Sequence, residues 1–317
     1  MTTPTPRLTA RPTARRTLAR RACAVAAATA AAVVLAACGS GDPSSGHAGH
    51  NAHGAGPKPS ASAHHHGMDG MDGAHGGASG TGLSDAAQGY RLTSPTTTLP
   101  AGKPSSYRFT VTGPGGRPVT AFVPEQTRRM HVYAIRSDLT GFQHVHPTMG
   151  GDGTWSAPLA ALTPGRWRLF ASFTPDTGRG ENPDLVLSRQ LTVAGTAAAT
   201  PLPAPAATTT ADGYTLTLSG DLTARMAHPL TVTVTRNGRP VTDLEPYLGT
   251  YAHLTAFHEG DSAFAHLHPT GTAEKGRGGG PELAFHAELP AAGNWRLFLQ
   301  FQTGGTLHTA AVTLRAG

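Results

Sequence analysis

Cysteine is the most informative scarcity in this 317-residue chain: only Cys23 and Cys38 occur. Both lie in the first 38 residues, so whatever folds downstream has neither a disulfide nor a thiolate. That excludes a blue-copper electron-transfer centre, which needs a Cys ligand, and Cys-based zinc or iron–sulfur sites. Any metal has to be held by His, Met or carboxylate. Aromatic residues make up only 6% of the chain, while Gly and Pro number 40 and 26. The folded part is therefore smaller than the length suggests. Catalytic signatures are missing as well. There is no Gly-x-Ser-x-Gly nucleophile turn, no His-Glu-x-x-His zinc helix and no phosphate-binding Gly loop. Multicopper oxidase chemistry would need further His-x-His pairs and a Cys, so the chain is not expected to be an enzyme.

The formal charge of +6 is equally local. Residues 1–37 hold Arg7, Arg11, Arg15, Arg16, Arg20 and Arg21 and no acid, which accounts for the whole excess. Nucleic acid is therefore not an expected partner. The same arginines precede an Ala-dominated apolar run from Ala22 to Ala37, too short to span a bilayer and of signal-peptide length. The run ends in Leu35-Ala36-Ala37-Cys38-Gly39, which resembles the bacterial lipobox. The resemblance implies cleavage before Cys38, lipidation of its thiol and a lipid-anchored location on the outer face of the cell membrane. Arg15-Arg16 also loosely resembles a twin-arginine export signal, so the export route stays open.

Residues 38–85 contain almost no β-branched or aromatic side chains and are expected to form a disordered tether. Within it lie His47, His50, His53, His64, His65, His66 and His75, seven His in 29 residues, with Met68 and Met71 among them. Short His-rich tracts point to metal capture. Imidazole suits Cu(II), Zn and Ni, and thioether favours Cu(I), so the mixture leans towards copper.

From about Gly89 the pattern becomes short alternating runs broken by Gly, Pro, Asn and Asp, with no amphipathic helix. Strands are expected at 90–92, 107–111, 130–135, 142–146, 154–156, 167–173 and 185–193, the size and strand count of an Ig-like sandwich. The set then repeats. Gly116-Arg117-Pro118-Val119-Thr120 recurs as Gly238-Arg239-Pro240-Val241-Thr242, a shift of 122. Trp167-Arg168-Leu169-Phe170 recurs as Trp295-Arg296-Leu297-Phe298, a shift of 128, with the extra residues falling in a Gly-rich loop around Lys275. The expected fold class is all-β: two tandem Ig-like or cupredoxin-like β-sandwich domains after a disordered His-rich tether. The expected boundaries are 1–37 leader, 38–85 tether, 86–195 module 1, 196–210 Pro/Ala/Thr linker and 211–317 module 2.

His131, His144 and His146 map at the constant shift of 122 onto His253, His266 and His268. Residues two apart on a strand share a face, so each His-x-His pair is aligned. Pro147 and Pro269 bias the preceding residue towards extended geometry and should end the ladder near a rim. His131 and His253, on the preceding strand, can supply a third nitrogen across the hairpin. Three His with an open fourth position suit copper or zinc. Met149 is the better placed of two nearby Met residues, because alternation turns Met130 away from His131. Hydrogen-bonded structural histidines are the other reading of both trios. His258, His286 and His308 have no counterpart in the first copy and are expected to be surface residues or extras of the second copy, with His308 a further candidate ligand.

Tyr247-Leu248-Gly249, then His253, then His266-x-His268-Pro269 resembles a signature of duplicated β-sandwich envelope lipoproteins of actinobacterial type. These are similar in class to cupredoxin-like and copper-carrier sandwiches. The first copy departs from it, with Glu125-Gln126-Thr127 in place of Tyr-Leu-Gly. The combined expectation is a membrane-anchored, extracytoplasmic lipoprotein that binds metal, copper before zinc, for sequestration or homeostasis. The alternatives are an Ig-like module with structural His that binds an envelope protein partner, and a zinc or nickel scavenger.

Overall fold

The alternating runs become strands in the computed structural model, which describes residues 80–274 and 276–317. The leader, Cys38 and the tail residues His47, His50, His53, His64, His65, His66, Met68, Met71 and His75 lie outside the described residues. Among the described residues there is no helix. Module 1 contains β1 (Ala86–Ala87), β2 (Tyr90–Thr93), β3 (Thr98–Leu99), β4 (Ser105–Thr112), β5 (Phe122–Val123), β6 (His131–Arg136), β7 (Gln143–Val145), β8 (Thr148–Met149), β9 (Thr154–Leu159), β10 (Gly165–Pro175) and β11 (Leu185–Val193). Module 2 contains β12 (Thr208–Ala211), β13 (Tyr214–Ser219), β14 (Ala227–Arg236), β15 (Arg239–Pro240), β16 (Ala252–His258), β17 (Phe264–Pro269), β18 (Glu282–Glu288), β19 (Gly293–Thr303) and β20 (Thr306–Ala316). The protein is all-β and built of two tandem Ig-like sandwiches, as the repeat predicts.

In module 1 the sheets run β1-β2-β4-β9-β8 and β3-β11-β10-β6-β7, with β5 also on β10. Their facing sides bury Phe109, Trp155, Trp167 and Leu169. In module 2 the order β12-β13-β14-β18-β17-β16-β19-β20 is continuous, because β17 pairs with β16 up to Leu267 and then with β18 through His268 and Pro269. Pro147 lies just past the end of its ladder and Pro269 is the last residue of β17, where it pairs with Phe285 of β18. At that point β17 is changing partners, where a missing N–H is tolerated. The repeated Trp residues are structural: each indole N–H donates to the carbonyl four residues upstream, Trp167 to Thr163 at 2.8 Å and Trp295 to Ala291 at 2.9 Å. Gly141, in the β6–β7 turn at φ 68°, leaves no room for a Cβ, which would meet the Trp167 ring at 2.3 Å.

Two boundaries shift. Strand β12 begins at Thr208, inside the expected linker, because Thr208–Ala211 pairs with β13. Residues 80–85, placed in the disordered tether by composition, are docked. The carbonyl of Thr81 accepts the Phe264 N–H at 2.8 Å, Arg168 donates to the Leu83 carbonyl at 3.0 Å, and Leu83 packs on the second core.

Every residue of β6 is buried, and so is every residue of β16 except His258. One face of each strand fills its own core: Met130, Val132 and Ala134 in module 1, Ala252, Leu254 and Ala256 in module 2. The other face meets the opposite module. Tyr133, Ile135, Phe170, Phe257, Phe264 and Phe298 form a third core there, with Phe142 stacked on Phe298 at 4.3 Å between centroids. The third core is nearly self-equivalent under the repeat, since Ile135 corresponds to Phe257, Phe142 to Phe264 and Phe170 to Phe298. Each fully buried aromatic contributes about 2 kcal/mol of apolar transfer free energy. The face that carries the histidines is thus the outside of each sandwich, covered by the other copy.

Candidate metal centre

The hairpin registers set the geometry. Tyr133 lies opposite His144 and Thr255 opposite His266. Just beyond the paired residues of the first hairpin, His131 packs against His146. Because the two hairpins dock face to face, the trios are brought into one cluster. Successive ring centroids lie 5.0 Å (His146–His131), 5.3 Å (His131–His144), 4.6 Å (His144–His253), 4.6 Å (His253–His266) and 4.8 Å (His266–His268) apart. His131, His253 and His266 are buried, while His144, His146 and His268 are half-buried.

The tight turns that precede β6 and β16 complete the cluster. Glu125 and Arg128 exchange both backbone bonds at 2.8 Å around Gln126 and Thr127, which take φ of 41° and 68°. Tyr247 and Thr250 do the same around Leu248 and Gly249. The first turn reaches across the interface. The Glu125 carboxylate lies 3.8 Å from His266 Nδ1, and Gln126 Oε1 accepts from His253 Nδ1 at 2.5 Å. Module 2 reciprocates with Gln300, whose Oε1 accepts from His144 Nδ1 at 2.7 Å.

These contacts fix tautomers. His131 Nε2 donates to the Glu125 carbonyl at 3.0 Å, which leaves Nδ1 as its lone-pair nitrogen. His144, with its proton on Nδ1, presents Nε2. The two lone-pair nitrogens face each other at 3.0 Å, an arrangement relieved by a cation between them. Turning the Gln300 amide over moves the His144 proton to Nε2 and satisfies the same pair without a cation. Each of these imidazoles is oriented by a hydrogen bond from its other ring nitrogen to a carbonyl oxygen, as metal-ligating histidines usually are. His146 Nε2 and His266 Nε2 are buried and make no hydrogen bond.

Donor atoms of His131, His144 and His146 lie within 4.8 Å of one another, and so do those of Glu125, His266 and His268. His253 is held by groups outside the imidazole row. Its Nε2 accepts from the Tyr133 hydroxyl at 2.9 Å and its Nδ1 is held by Gln126, so both nitrogens are engaged. Burial pushes His131 and His146 down to about 4, with the Arg128 charge contributing to both. Burial, reinforced by the neighbouring imidazoles, holds His144, His253 and His266 well below the usual range. At neutral pH these rings are uncharged, the form that binds metal. Burial, with Asp184 nearby, raises Glu125 to about 7.

Two neighbouring candidates, Met149 and His308, are engaged elsewhere. Met149 packs against the first core with Met130 and does not face the trio. His308 lies apart, bonded to Asp212 at 2.9 Å and to Thr303 at 3.0 Å. His258 is partly buried, tied to Asp261 and the Ala292 carbonyl. His286 is exposed as expected and sits opposite His268 on the adjoining strand. Sequence reasoning did not assign Glu125, Gln126, Tyr133 or Gln300 to the site. The available signal was the replacement of Tyr-Leu-Gly by Glu-Gln-Thr in an otherwise repeated position.

The family model described as "Domain of unknown function (DUF8832)" matches residues 85–181 and 208–317, and the chain belongs to that family. No curated protein matches it. Similar solved structures include the Escherichia coli adhesin FdeC, 16% identical, with a TM-score of 0.25 and coverage of 73% of this chain and 65% of that one. Yersinia pseudotuberculosis InvD is 14% identical over 73% and 58% of the two chains, with a TM-score of 0.25. A Legionella pneumophila DUF4785 protein is 10% identical over 72% and 56%, with a TM-score of 0.26. The chain spans less than two thirds of each of these.

Proposed function

We propose that this protein binds transition-metal ions between its two sandwiches, as a lipid-anchored extracytoplasmic protein for metal sequestration or homeostasis. The carrying observation is that His146 and His266, each with a buried Nε2 that makes no hydrogen bond, belong to two sets of three residues whose donor atoms converge. Leaving such groups unsatisfied costs about 1–3 kcal/mol each, which a bound ion recovers. Imidazoles and one carboxylate, without thiolate or thioether, suit Cu(II) and Zn(II), and Cu(II) binds the tighter of the two in the Irving–Williams order. The half-buried His146 and His268 supply the way in. The His/Met tail supplies a second capture segment ahead of the sandwiches, and Cys38 supplies the anchor. The role is binding rather than catalysis.

The test is copper content of the full chain beside its His146→Ala/His268→Ala variant, with the tail common to both. Fewer bound ions in the variant are expected, and equal copper in both overturns the interface site. Zinc and nickel competition then ranks the metals. Release of a Cys38→Ala variant from the membrane fraction checks the anchor, and unchanged retention would remove it.

A further inference from the structure

The six histidines do not surround one point. His253 stands in the middle of the row with ring centroids 4.6 Å from both His144 and His266, and it is nearly parallel to His144 at 23°. It presents a ring face to its neighbour, and both its nitrogens are occupied by Gln126 and Tyr133. An ion placed centrally would therefore meet carbon on that side rather than a lone pair. The donors that converge instead fall into two sets on either side of His253, three nitrogens in one and two nitrogens with a carboxylate in the other. Metal–nitrogen bonds of about 2.0–2.1 Å limit the donors of one ion to roughly 4 Å apart, so one ion fits a trio and not the row.

We propose that the interface holds two metal ions in unlike halves, one on His131, His144 and His146, and one on Glu125, His266 and His268. This rests on the metal-binding reading above and extends it to stoichiometry and inequivalence. The second half is assembled across the interface, with its carboxylate from module 1 and its imidazoles from module 2. It is also the half that offers a negative charge once a bound ion displaces the Glu125 proton. A divalent ion there leaves a net charge of +1, whereas the all-imidazole half leaves +2 in a partly buried site, where net charge is penalised. Arg128 lies close enough to His131 and His146 to oppose positive charge at that end. The Glu125 half consequently fills first and binds tighter. The all-imidazole half follows, with its remaining position open to hydroxide or another small anion beside the half-buried His146. Paired-metal sites elsewhere hold their ions about 3.5–4 Å apart. The His253 ring standing between the two sets makes the separation here longer.

The experiment titrates Cu(II) into the full chain, Glu125→Gln, His146→Asn and the double variant, followed by native mass spectrometry and EPR. Glu125→Gln keeps the side-chain shape and His146 lies at the rim, and thermal melts confirm that each variant is folded. Each single variant is expected to lose one ion relative to the parent and the double variant two. A half-field signal from a coupled copper pair should appear in the parent and vanish in either single variant. If both single variants and the double lose the same single ion, and the parent shows no half-field signal, the two-ion arrangement is overturned while the metal site stands. If no variant loses an ion, both fall.

Discussion

The two copies of the module differ most usefully at one tight turn. Both turns close with the same reciprocal backbone bonds and the same left-handed pair of residues, and they touch, since a Cβ on Gly249 would sit 3.3 Å from the Thr127 methyl. The turn of the first copy carries Glu125 and Gln126 and reaches into the imidazoles of the second. The turn of the second carries Tyr247 and Leu248 and returns no equivalent donor. The second copy instead reaches back through Gln300, where the first has Ser172, each placed opposite the leading His of its own trio. The backbone was kept in both copies while the chemistry was divided between them. One trio is left all-nitrogen and the other is given a carboxylate.

The largest effect should come from the apolar half of the interface. Phe257→Ala removes a ring from the shared core and is expected to cost about 4 kcal/mol in urea unfolding. A loss under about 1 kcal/mol would mean that the two copies do not support each other. Acidification of the chelated protein comes next. His131 is held near 4 in the folded state against 6.5 unfolded, so only the unfolded chain takes up the proton between those values. Stability is complete above pH 6.5 and falls as pH drops towards 4, by on the order of 3 kcal/mol for this residue. Glu125, raised to about 7, acts in the opposite sense and costs stability as pH rises from 4.5 to 7. A flat profile between pH 6.5 and 4 in the His131→Gln difference would remove the burial argument.

His253→Ala should cost about 2 kcal/mol by stranding the Tyr133 hydroxyl and Gln126. Its counterpart in the first copy, His131→Ala, should in addition lose bound copper. Copper loss from both would make His253 a ligand and erase the distinction between the copies. The smallest effect is Gln126→Leu, which gives the first turn the apolar residue of the second. It should cost about 1 kcal/mol through the lost hydrogen bond to His253, and no change would show that this contact does not hold the ring.

Much of this was legible in the chain. All seven strands expected in module 1 form, and 185–193 has the expected limits. The constant shift of 122 correctly paired the histidines and put each trio on one face. Which side of the sheet that face occupies was written in β6, whose apolar run His-Val-Tyr-Ala-Ile has no polar alternation, as expected of a strand covered on both sides. The covering partner was not legible, because periodicity describes one strand at a time. Glu125 joins His266 over a separation that no spacing rule spans. Gln300 was hidden similarly, as one of several polar residues in its strand.

A cluster that straddles the two modules cannot be built by either alone. Had the module met a second identical chain across a twofold axis, each ligand would have been present in duplicate and the two halves would have been obliged to match. Joining the copies through residues 194–207 removes that obligation. One turn is free to become acidic while its twin stays apolar, so duplication in a single chain is what permits an asymmetric centre on a nearly symmetric frame.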